Sequence, residues 1–103
     1  MPDADTGLLR QLQRWYAAQC NGDWEHTYGI TIETLDNPGW HFKVQITDTY
    51  LADRVFEEVS ENATDEKNFF ICRVKDGAFV GACSPDRLHE VISIFLRWAD
   101  RAE

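Results

Sequence analysis

YGITIETLDNPGWHFKVQIT, residues 28–47, alternates apolar and polar positions on both sides of a break, and that alternation decides the fold. Successive side chains of a strand point to opposite faces, so Ile30, Ile32, Phe42 and Val44 mark one buried face while Glu33 and Lys43 mark a wet one. Asp36-Asn37-Pro38-Gly39 in between is turn chemistry, which makes the pair a β-hairpin. A two-residue Pro38-Gly39 loop would set Ile32 opposite Gln45 and Ile30 opposite Thr47, mixing the faces. A loop one residue longer, or a bulge, sets Ile30 opposite Ile46, Ile32 opposite Val44 and Thr34 opposite Phe42, with Glu33 opposite Lys43 on the other face. The pattern therefore predicts an odd-length connection or a bulge.

Downstream, Phe69 to Lys75 and Ala78 to Ser84 flank Asp76-Gly77, a strong two-residue hairpin signal. That register places Phe70, Cys72 and Val74 on one face with Cys83, Gly81 and Phe79, and makes Cys72 and Cys83 diagonal neighbours roughly 7–8 Å apart, too far for an easy disulfide. Upstream, Leu8, Leu9, Leu12, Trp15, Tyr16 and Cys20 recur at helical spacing, predicting a helix from Gly7 to Cys20 capped by Thr6 or Asp5 and closed by Asn21-Gly22. A last helix is predicted from Ser84-Pro85, with Leu88, Val91, Ile92, Phe95 and Ala99 as its buried stripe, widened by Leu96 and Trp98. Between Thr49 and Asn62, Leu51, Val55, Phe56 and Val59 suit a helical stripe while RVFEEV suits a short strand, and the strand is the preferred reading; residues 62–68 read as a loop. The expected architecture is an α+β single domain over residues 1–103: an antiparallel sheet of four to five strands built from hairpins, with N- and C-terminal helices packed on one face.

A chain of 103 residues with 44% hydrophobic content can bury one core without staples. No apolar run reaches the ~18–20 residues of a membrane span, and MPDADTGLLR lacks the basic start and apolar middle of a secretory signal, so a cytoplasmic protein is expected. Cys20, Cys72 and Cys83 are odd in number and contain no C-x-x-C pair, which favours free thiols over a disulfide framework or a zinc site. A net charge of −8 disfavours nucleic acid and anionic membranes as partners and favours a basic one. The acid is concentrated: residues 48–66 hold seven carboxylates and one arginine, and so six of the eight net negative charges. That run suits a solvated face as well as a recognition patch.

Asp23, Glu25 and His26 lie within four residues, a set able in principle to act as a general base or to hold a metal. Their spacing lacks the pattern of a metal site, and His41 and His89 add no supporting ligands, so capping or solvated roles are favoured and neither metal nor cofactor is expected. No nucleophile elbow or phosphate-binding glycine loop occurs. Trp24 and Trp40 flank the first hairpin and suit interface anchors or core fillers, core being favoured for Trp40; Trp15 and Trp98 lie on helical stripes and are read as core.

CNGDWEHTYGITIETLDNPGW, Cys20 to Trp40, resembles the signature of bacterial immunity-protein family 53 of polymorphic toxin systems. Cys72-Arg73-Val74, Phe79-x-Gly81, and Ser84-Pro85 leading into a helix that ends Phe95-Leu96-Arg97-Trp98-Ala99 fit as well, while residues 48–68 match no fixed pattern. The resemblance implies a small cytosolic protein that binds and neutralises a cognate toxin domain without catalysis. Many toxins of such systems attack nucleic acids and are basic, which suits an acidic inhibitor. The expected partner-binding residues are Asp23, Trp24, Glu25, His26, Asp36, Glu57, Glu58 and Glu61, within or beside the acidic run from Asp48 to Glu66. The rival expectation is a small enzyme or ligand-binding domain using Asp23, Glu25 and His26.

Overall fold

The computed structural model describes residues 4–62, 64 and 67–100. Along them run α1 (Ala4–Gln19), the single-turn α2 (Trp24–Thr27), β1 (Ile30–Leu35), β2 (Gly39–Gln45), β3 (Val59–Glu61), β4 (Phe70–Lys75), β5 (Ala78–Cys83) and α3 (Leu88–Ala99). The strands form one antiparallel sheet in the order β1-β2-β5-β4-β3. Apolar side chains at alternate positions put Phe42 and Val44 of β2, Phe79 of β5 and Cys72 of β4 on a single face, all fully buried. Onto that face α3 lays Val91, Ile92, Phe95 and Ala99, and α1 adds Leu12 and Trp15 beside it. Edge-to-face rings knit the layers: Phe95 meets Trp15 at 5.1 Å and Phe42 at 6.0 Å between centroids. Helix and sheet approach closely at Gly81, where any Cβ would lie 2.3 Å from a methyl of Val91. The α+β architecture expected from the hairpin alternation is the one observed.

The first hairpin has the odd-length connection, residues 36–38, but its register differs from the expected one by two residues: Ile30 faces Val44, Ile32 faces Phe42 and Glu33 faces His41. A shift of two conserves the faces, which is why hydrophobic matching alone could not separate the alternatives. In the second hairpin the expected register holds, with Cys72 opposite Gly81 and Phe70 opposite Cys83. Asp76 (φ 53°) and Gly77 (φ 76°) form its turn with the two positive φ values that a tight hairpin demands.

Three helix and strand boundaries are corrected. Asp5 and Thr6 lie inside α1 instead of capping it. The strand expected over RVFEEV shrinks to Val59–Glu61, preceded by turns and an extended stretch from residue 47 to 58. Most consequential, α3 starts at Leu88 and not at Ser84-Pro85. Ser84 is fully buried and serves the sheet: its hydroxyl accepts the Phe69 N–H at 3.1 Å and donates to the Phe69 carbonyl at 3.3 Å. The Pro85 carbonyl meanwhile accepts the indole N–H of Trp40 at 2.8 Å, so the residues expected to open the helix tie it to β2 and β4.

Candidate functional site

Asn21 and Glu25 organise the loop before α2. The Asn21 side-chain oxygen accepts the N–H groups of Asp23 and Trp24, both at 2.9 Å, and the two Glu25 carboxylate oxygens accept those of Asn21 at 2.9 Å and Gly22 at 2.8 Å. Backbone N–H donors, its own first and then those of Asn21 and Gly22, hold the Glu25 carboxyl below the usual range despite some desolvation. Glu25 is thus a loop clamp, committed on both oxygens. Trp24, 4% exposed, is buried among Trp15, Tyr16 and Tyr28 and donates its indole N–H to the Thr47 carbonyl at 3.0 Å. It shapes this surface from beneath and does not present a ring to a partner. Asp23 and His26 remain exposed. Among the described residues, no three His, Cys, Asp or Glu side chains come together as a metal-binding group.

The Trp24–Thr47 bond brings Asp23 and His26 to the same end of the sheet as the strap that follows β2. Leu51, fully buried, pins the strap to the core, and Thr49 folds it by donating to the Ile46 carbonyl at 2.7 Å and accepting the Leu51 N–H at 3.1 Å. Further fastenings reach the end of α3. Tyr50 donates to the Ala99 carbonyl at 2.6 Å, Arg54 donates to the carbonyls of Trp98 at 2.8 Å and Asp100 at 3.0 Å, and Trp98 donates to the Val55 carbonyl at 2.9 Å. Held this way, the strap turns Asp48, Asp53, Glu57 and Glu58 outward, and among the described residues no ion pair engages them. Val55, 83% exposed, sits in their midst.

The other expected contact residues are dispersed. Asp36 lies in the β1–β2 turn, at the opposite end of the hairpin from α2. Glu61 ends β3 and is bridged by Arg87, which also binds Glu90 and Asn68 and stacks over Phe70 at 5.0 Å. Hydrogen bonds from Arg87 hold Glu90 below the usual carboxylate range, and both glutamates push the guanidinium up. Asp65 and Glu66 lie outside the described residues.

A hollow of about 620 Å³ opens between α1 and α3 over Trp15 and Tyr50. Among the described residues, its charged walls are Arg14, Arg97 and Asp100, and its lining includes no histidine or cysteine beside Ser93. Exposed carboxylates around an apolar residue, on a strap anchored to a rigid frame, suit protein recognition. Comparison with curated proteins and with solved structures yields no significant match. The family described as Immunity protein 53 does match, over residues 9–100, and the chain belongs to that family.

Proposed function

We propose that this chain is a cytoplasmic immunity protein of a bacterial polymorphic toxin system, which neutralises a basic, nuclease-type toxin domain by binding it stoichiometrically and without turnover. Family membership across residues 9–100 carries the toxin as partner. The finer reading is supported by Asp48, Asp53, Glu57 and Glu58, exposed around Val55 and without ion pairs among the described residues, with Asp23 at the same end of the sheet. Carboxylates left free by the fold offer a basic cleft both long-range attraction and short-range pairing. Asp36 and Glu61 stand apart from this patch and are assigned at most a peripheral contact.

Co-expression with the toxin domain encoded beside this gene tests the reading: wild type is expected to restore growth and to co-purify with the toxin. The combined Asp48→Asn, Asp53→Asn, Glu57→Gln and Glu58→Gln variant is expected to slow association about tenfold or more at low salt and to flatten its salt dependence. Unchanged association kinetics would remove the acidic strap from the interface.

A further inference from the structure

The helices cover one face of the sheet, and the other face is bare. Its cross-strand rows follow from the register: Lys43 of β2 and Arg73 of β4 both stand opposite Val80 of the central strand β5, and Lys75 lies opposite Ala78 in the next row. Short side chains on β5 between long cationic ones on β2 and β4 leave a trough about two strand spacings, roughly 10 Å, from rim to rim. A hollow of about 360 Å³ lies along its β4 side, lined by His41, Ile71, Arg73, Lys75, Val80 and Ala82; Lys43 stands across Val80 from it.

Three features separate this trough from an ordinary solvated sheet face. In a chain of net charge −8 it gathers three exposed cations, against Glu33 as the one acidic residue that the described strands place on the same face. None of the three cations is in an ion pair among the described residues. Finally, the Nδ1 of His41 is buried without a hydrogen-bond partner; Glu33 Oε2, at 3.6 Å, is beyond hydrogen-bonding reach.

We infer that the bare face of the sheet is a second docking surface, which receives a carboxylate-bearing segment of the same toxin. The inference rests on the reading of the chain as a toxin-binding immunity protein. Charge decides the occupant: three cations match a few protein carboxylates, whereas a nucleic acid would meet the repulsion of the whole acidic molecule. The trough borders the acidic surface, since β3, which follows Glu57 and Glu58, runs alongside β4. Adjacent patches of opposite sign fix the orientation of a partner as one patch cannot.

The test measures affinity for the toxin domain encoded beside this gene, using wild type, a Lys43→Gln/Arg73→Gln/Lys75→Gln variant and the single Arg73→Gln variant. All three side chains are exposed, and thermal unfolding checks that the variants fold. The expected result is about tenfold or greater loss in the triple variant and a smaller loss in the single one. Wild-type binding with the triple variant unchanged overturns this inference and leaves the proposed function standing. Failure of wild type to bind or protect removes both. Duplex DNA binding, or self-association in sedimentation, that the triple variant abolishes would reassign the trough to that occupant and overturn the inference.

Discussion

Single residues in this molecule divide between those that hold the frame and those left free by it, and the cysteines show how sharply. Cys72 and Cys83 are almost fully buried on the core face; burial pushes the Cys72 thiol up to about 12, and burial likewise pushes Cys83 up to about 11. Since the thiolate is the reactive form, neither thiol reacts at mildly alkaline pH while the fold is intact. Cys20 is partly exposed at the end of α1. A disulfide-exchange reagent is therefore expected to titrate one thiol rapidly in the native protein and all three in denaturant; two fast native thiols would contradict the packing. Free thiols were legible from the number and spacing of the cysteines, whereas the partial exposure of Cys20 was not. The capping role favoured for Glu25 is the one its N–H partners show, although the sequence did not say which backbone groups it would hold.

Elements are held by close approach as much as by pattern. Helix α3 crosses β5 over Gly81, so Gly81→Ala would drive a methyl into Val91, itself fully buried between helix and sheet. Overpacking of this kind costs roughly 1–3 kcal/mol, and a fall in the denaturation midpoint at unchanged slope is the expected signature. A neutral substitution would mean that helix and sheet are further apart. Hydrophobic alternation revealed both hairpins, and Asp76-Gly77 set the second register outright. The first register and the start of α3 escaped for one shared reason: tertiary partners override local signals. A shift of two residues conserves every face, and Ser84, whose sequence context suits a cap, is drawn instead to the backbone of Phe69. The turn of α2 was too short for any periodicity to register. Alternation also marked Lys43 as outward, but only the strand order β2-β5-β4 places it across Val80 from Arg73.

At the scale of the whole molecule, the frame and the proposed recognition surface use different side chains. The frame is the aromatic seam between sheet and helices, which the strap joins through Leu51 and Phe56, while its Asp48, Asp53, Glu57 and Glu58 are exposed. Asp48 has φ 63°, a conformation that Asn adopts readily, and the other three are exposed without ion pairs among the described residues. The fourfold neutralised variant is therefore expected to melt within about 10 °C of wild type, since surface changes of this kind typically cost under ~0.5 kcal/mol each. A much larger drop would show that the acidic side chains are structural after all. The strap is fastened largely through main-chain carbonyls, those of Thr47 and Val55 on its own side and of Trp98, Ala99 and Asp100 on the helix side. A carbonyl is the same whichever side chain its residue bears. The outward positions can therefore be rewritten, generation after generation, as an adversary changes, while the anchorage beneath them is inherited intact.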